Sequence, residues 1–191
     1  MAEMISQVVF KPNPGADMAK LMELVAESAA IWRKHGAEVS IWAVSAGEVG
    51  NMVFATRYAS YEDLAEIVRR RFERPADTLR ELFQRLVFNV LCGNTDDHAR
   101  NHAAFWDGER LSLTPAYDIC PQPRIGNEAS HAMLIHGNQR LSNLANCRAA
   151  CTQFLLAPEE ADRLIEQQIQ VIHAHWADVC EEAELDRKSV V

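Results

Sequence analysis

The sequence predicts an α+β fold: a small mixed unit over residues 1–59, then a mainly helical region over 60–191 that carries one β-hairpin. Three observations predict it. Short β-branched runs alternate with helical patterns through the first 70 residues. After Pro75 the composition shifts to a long apolar run, TLRELFQRLVFNVLCGN. Asp107-Gly108 then interrupts HAAFWDGERLSLTPA, the strongest short hairpin signal in the chain.

The elements follow in order. Residues 4–10, MISQVVF, read as a strand that KPNPG breaks. Asp17 caps a helix whose apolar positions Met18, Leu21, Met22, Val25, Ala29 and Trp32 recur at helical spacing, and Gly36 stops it. Residues 38–44 and NMVFATRYA are two further strands joined by the turn SAGEVGN. Ser60 caps YEDLAEIVRRR, with Asp63 completing an approximate capping box. This β-α-β-β-α order is most of a ferredoxin-like unit. It resembles the small α+β barrel domains of the NIPSNAP/antibiotic-monooxygenase kind, and that resemblance implies a homodimer formed through the N-terminal unit.

In the second region, Leu79, Leu82, Phe83, Leu86, Val87, Val90 and Leu91 surround much of one helix, which should therefore be buried and end at Gly93. The hairpin follows. Residues 121–146 are loop-rich and polar, and two helices close the chain, around 142–155 and 158–184, with Pro158 at the start of the last.

Composition narrows the function classes. At 191 residues and 48% apolar, the chain makes one domain or two small ones with a real core. Its net charge of −8 gives no broad basic face, so direct binding to nucleic acid is disfavoured. The local run VRRRFER reads as a solvated helix end. No apolar run approaches the roughly 20 residues of a membrane span, and the N-terminus lacks the pattern of a signal peptide. The five cysteines, an odd number without paired spacing, read as reduced thiols in a cytoplasmic protein.

The chemistry concentrates in GNTDDHARNHAAFWDGERLSLTPAYD, residues 93–118. Asp96 and Asn101 stand in a D-x-x-x-x-N spacing, and Asp118 follows the hairpin in P-A-Y-D. Phosphoryl transfer needs this set: a carboxylate to take the proton of the attacking hydroxyl, and an amide oxygen with a second carboxylate to hold Mg²⁺. The two ends of a hairpin lie side by side, which should bring Asp118 back beside Asn101. Asp97 reads as a cap or hydrogen-bonding partner of the loop, and His98 as a group orienting it. Zinc ligation by His98 and His102 is disfavoured because Gly93-Asn94 argues for a loop. Tyr117 and Trp106 read as core aromatics, and His173 and His175 as surface residues.

The block from LFQRLVFNVLCGNTDDHARNH to LTPAYDIC resembles the catalytic core of HipA-like serine/threonine kinases, the toxin components of bacterial toxin–antitoxin pairs. The similarity runs from about Ser60 to the C-terminal helices and includes HAMLIHG. It implies an ATP- and Mg²⁺-dependent kinase acting on a protein serine or threonine. Asp96 would be the catalytic base, and Asn101 and Asp118 the metal ligands. Arg100, by position, would offer charge to the transferring phosphoryl.

A nucleotide lobe is not legible beside them. No G-x-G-x-x-G is present, and Gly47-x-x-Gly50 reads as a plain turn. VVFK at 8–11, with Glu27 on the next helix, resembles a lysine strand only superficially. The expectation is therefore a catalytic lobe that is inactive or weak alone. Its partners would be an antitoxin or a separate nucleotide-lobe chain. The alternative is a non-catalytic dimerising or small-ligand-binding α+β barrel domain carrying a degenerate kinase remnant.

Overall fold

A computed structural model describes residues 6–10, 17–34, 39–43, 52–56, 60–107, 109–123, 126 and 128–184. The expectations placed on Lys11, Gly36, the SAGEVGN turn and Gly108 lie outside these residues, as does the Trp106 side chain.

The fold is α+β. Strands β1 (Ser6–Phe10), β2 (Val39–Ala43) and β3 (Met52–Thr56) form one sheet in the order β1-β3-β2, with β3 antiparallel to both neighbours. Helix α1 (Met18–Lys34) makes the crossover from β1 to β2. Asp17 caps it as expected, accepting from the Ala19 and Lys20 amides at 3.0 and 3.2 Å. Val25 and Ala29 are buried on its inner face, whereas Met22 is exposed. β1 also lies against strand β4 (Ala104–Trp106), so the sheet touches the second region.

That second region is built on helices α2 (Tyr61–Arg71) and α3 (Pro75–Leu91). The Ser60 cap forms as its sequence requires: the hydroxyl accepts from the Asp63 amide at 3.1 Å and donates to the Asp63 carboxylate at 2.6 Å. Pro75 opens α3, where its missing N–H costs nothing. Leu79, Leu82, Phe83, Leu86, Val87 and Val90 of α3 are all buried. Each contributes roughly 1.5–3 kcal/mol by leaving water. They pack with Tyr61, Leu64 and Val68 of α2, with Met133 and Ile135, and with Phe154. This is the main core, and it sits directly beneath the loop that follows α3.

The hairpin of β4 and β5 (Leu111–Leu113) is present, and the Asp107 amide donates to the Arg110 carbonyl at 3.3 Å beyond its last ladder pair. Asp107 also accepts from the Glu109 and Arg110 amides, both at 2.8 Å, so its side chain closes the turn. The expected helix over 142–155 is two pieces, α4 (Leu144–Ala149) and a 3₁₀ turn at Cys151–Phe154. Helix α5 (Pro158–Glu182) closes the described chain. Cys147 and Cys151 therefore belong to different elements, both buried, and no disulfide forms. Among the described residues no helix is long and apolar enough to cross a membrane.

Candidate active site

The site is built where α3 runs out. Gly93 takes φ +75°, the left-handed conformation that ends the helix. A second constraint fixes its identity: a Cβ there would lie 2.3 Å from the Gln122 carbonyl oxygen. The segment after Asp118 passes this close because the Gln122 amide donates to the Cys92 carbonyl at 3.1 Å. Just beyond, Asn94 is buried and donates from Nδ2 to Asn89 Oδ1 at 3.0 Å, tying the loop back to α3.

The loop then turns through a short 3₁₀ segment, Ala99–Asn101, with the Asn101 amide donating to the His98 carbonyl at 2.9 Å. β1 of the N-terminal sheet lies against this turn. Asp96 and Arg100 are exposed. Asn101 is 6% exposed, and its Nδ2 donates to the Asp96 carbonyl at 3.4 Å. The donor end of the amide is thus used inside the loop, which leaves its oxygen as the end suited to a cation.

The hairpin returns the chain as expected. The Thr114 amide donates to the Ala103 carbonyl at 3.0 Å, and Arg85 Nη2 donates to the Thr114 carbonyl at 2.5 Å. The Tyr117 hydroxyl donates to the Arg100 carbonyl. Asp118 and Asn101, each one residue further on, are therefore carried on backbone segments that this bond joins. Asp118 is exposed and sits at φ +56°, a conformation that a non-glycine residue adopts only at a cost.

One side-chain expectation is corrected. Tyr117 is not a core aromatic: it is 43% exposed, because its hydroxyl bridges to Arg100 along the surface. Burial and the neighbouring Asp118 charge raise its pKa. His98 Nδ1 is buried without a hydrogen-bond partner among the described residues. His173 and His175 are exposed, as read.

Asp97 proves to be the centre of a buried cluster. It is 1% exposed. The Tyr61 hydroxyl donates to its Oδ2, His102 Nε2 stands 3.1 Å from its Oδ1, and His131 Nε2 stands 3.7 Å from its Oδ2. The Tyr61 ring packs on both imidazoles, at centroid distances of 5.7 and 5.8 Å. His131 Nδ1 accepts from the Met133 amide at 3.2 Å, so its proton is assigned to Nε2, facing the carboxylate. Burial alone pushes the Asp97 carboxyl up. His102, His131 and the Tyr61 hydroxyl outweigh that and hold it down at about 2, so it is a carboxylate at neutral pH. Burial also lowers the His131 pKa, against the pull of Asp97. Sequence reasoning reached Asp97 as a hydrogen-bonding partner but not Tyr61 or His131. A tyrosine directly after a helix cap gives no sign of a partner 36 residues away.

The arrangement offers two exposed carboxylates and an amide on joined backbone segments, a hard-oxygen set of the type Mg²⁺ prefers together with phosphate and water. No group of three or more His, Cys, Asp or Glu side chains among the described residues converges as a metal site. A cation here would thus rest on Asn101, Asp118 and the oxygens of a bound phosphate.

The chain is similar to proteins already known. The family profile of the HipA-like C-terminal domain matches residues 41–176, a stretch that begins inside β2 and ends within α5. "Putative kinase Y4mE" of Sinorhizobium fredii is 33% identical over 69 residues, covering 34% of this chain and 16% of that protein. "Putative kinase" of Haemophilus influenzae is 32% identical over 81 residues, covering 40% of this chain and 24% of that protein. The chain thus aligns with no more than about a quarter of the length of these curated relatives.

Proposed function

This chain belongs to the family of HipA-like C-terminal domains, and from that premise we propose that it carries the catalytic loop of a protein serine/threonine kinase. The observation that carries the reading is the Tyr117–Arg100 bond, which joins the segment bearing Asp118 to the one bearing Asp96 and Asn101.

The roles follow from exposure and chemistry. Asp96, exposed at the head of the loop, accepts the proton of the attacking serine or threonine hydroxyl. The hydroxyl oxygen then forms a bond to the γ-phosphorus of ATP, the bridging bond to the β-phosphate breaks, and ADP leaves. Asn101 and Asp118 would hold Mg²⁺, which when bound neutralises charge on the phosphates. Arg100, exposed beside them, offers positive charge to the transferring group. By analogy with the family, the substrate is a protein, the setting is cytoplasmic, and the gene is one half of a toxin–antitoxin pair. The partner is an antitoxin or a separate nucleotide-lobe chain. We propose that the chain alone turns over weakly, because positioning supplies most of the rate in phosphoryl transfer and no glycine-rich phosphate loop is legible.

One observation favours a second reading of the N-terminal unit. β1 lies against the 3₁₀ turn and β4. A sheet in that place is suited to cover a nucleotide held at the loop, whereas a ferredoxin-like dimerising unit would need no contact with it. The β1-β3-β2 order, with α1 crossing over, is compatible with either use.

The test is thermal melting of the purified chain with ATP, with and without Mg²⁺, beside Asp118→Ala. A ligand that binds the native state raises its melting temperature. The reading expects a Mg²⁺-dependent rise that the variant lacks. No rise at millimolar ATP overturns nucleotide binding by this chain alone. A rise accompanied by brisk turnover overturns the proposed weakness and favours the sheet as its own nucleotide cover.

A further inference from the structure

The buried cluster has a geometric relation to the loop that its role as packing does not require. Asp97 and His102 stand at the two ends of residues 98–101 and meet across them at 3.1 Å. The residue before Asp97 is Asp96, and the residue before His102 is Asn101. The base and the amide are therefore each bonded directly to one member of the buried pair.

The other two members anchor that pair to separate elements. Tyr61 opens α2 and reaches Asp97 from below. His131 comes from the polar segment after the hairpin, itself fastened to the loop by the Ala132 amide, which donates to the Thr95 carbonyl at 2.8 Å. The His131 amide donates to the Arg140 carbonyl at 2.7 Å, and the Tyr61 amide donates to the Leu134 carbonyl at 2.9 Å. Three elements thus close on one carboxylate that is 1% exposed.

We infer that Tyr61, Asp97, His102 and His131 form a buried clamp that fixes the spacing of Asp96 and Asn101, with Asp97 as its central positioning residue. The inference rests on the kinase reading for what the spacing is for, but not for the clamp itself. Asp97 touches no substrate in this scheme. It acts by holding both ends of the turn, as outer partners of metal ligands do, whose loss typically lowers metal affinity by about 10–100-fold.

The experiment uses the full chain and two variants, Asp97→Asn and the milder Tyr61→Phe, which removes one hydroxyl and keeps the ring should the first fail to fold. Two readouts are taken well below melting. The first is affinity for Mn²⁺ with ATP, by electron paramagnetic resonance. The second, without metal, is hydrogen exchange at the Asn101 and His102 amides, which donate to the His98 and Ala99 carbonyls. The clamp expects about tenfold weaker Mn²⁺ binding and about tenfold faster exchange at those two amides, with α3 amides unchanged. A lower melting temperature with both readouts unmoved reduces the cluster to packing and overturns the inference. If the wild-type chain binds no Mn²⁺ with ATP, nucleotide binding by this chain alone is overturned, and the exchange measurement still decides the clamp.

Discussion

Asp96 and Asp97 are neighbours in the chain and opposites in environment. Asp96 is exposed, and its backbone carbonyl receives Asn101 Nδ2 at 3.4 Å. Asp97 is sealed among a tyrosine and two histidines and held ionised at about pKa 2. The two regions they head differ in the same way: the exposed set Asp96, Arg100 and Asp118 is poised toward solvent, while the buried set is spent on the protein itself. Adjacent identical residues thus take opposite places, one carboxylate facing solvent and the other sealed among partners from three elements.

Exchanging the two tests the contrast most severely. Asp97→Ala takes the acceptor from the buried Tyr61 hydroxyl and should cost about 1–3 kcal/mol of stability, read by urea denaturation. Asp96→Ala should change stability by no more than about 0.5 kcal/mol and abolish whatever kinase turnover the chain or its complex shows. Equal destabilisation by both would erase the distinction.

Acid sharpens it next. The Asp97 carboxyl lies at about 2 against an ordinary 3.8, so on acidification the unfolded chain takes the proton first. The stabilisation from this group is complete above about pH 4 and is lost as pH falls toward 2, a total of about 2 kcal/mol. His131 acts earlier. Its pKa lies below the ordinary 6.5, so the unfolded imidazole is again protonated first and stability declines once pH drops below about 6.5. Melting curves at stepped pH should show both phases in the wild type, and His131→Gln should lose the first.

Gly93→Ala probes the junction between the regions. The left-handed φ and the nearby Gln122 carbonyl both oppose a side chain, so a loss of more than about 1 kcal/mol is expected by thermal or chemical denaturation. The smallest effect belongs to Asp118→Gly. Relief of its +56° φ should leave stability within about 0.5 kcal/mol of wild type or slightly above it, while Mg²⁺-dependent stabilisation by ATP disappears. A clear loss of stability would mean that Asp118 serves the fold rather than a cation.

The local features were the legible ones. Ser60 with Asp63, Asp17, Pro158 and Gly93 announce helix ends through side-chain or backbone chemistry confined to a few residues, and the structure places each at an end. The helical stripe of α3 was legible for the same reason. Longer-range facts were not. Asp107-Gly108 marked the hairpin, but not that the Asp107 carboxylate would accept two amides of its turn. Tyr117 looked like core by type, yet one hydrogen bond to a carbonyl 17 residues back holds it at the surface. Asp96, Asn101 and Asp118 could be named as candidates because spacing and residue type suggest their chemistry. Tyr61 and His131 were not, since their meaning exists only once α2 and the 130s segment converge on Asp97.

That convergence has a consequence for synthesis. A ribosome that has just added Asp118 has already made every exposed group of the loop, yet His131 is still 13 residues away. At about 5–20 residues per second, that gap lasts on the order of one to three seconds. The loop leaves the ribosome ahead of its last anchor by the same interval. Maturation of the loop is therefore timed by a residue outside it, and a chain terminated in that interval would carry the loop's signature residues with the cluster beneath them incomplete.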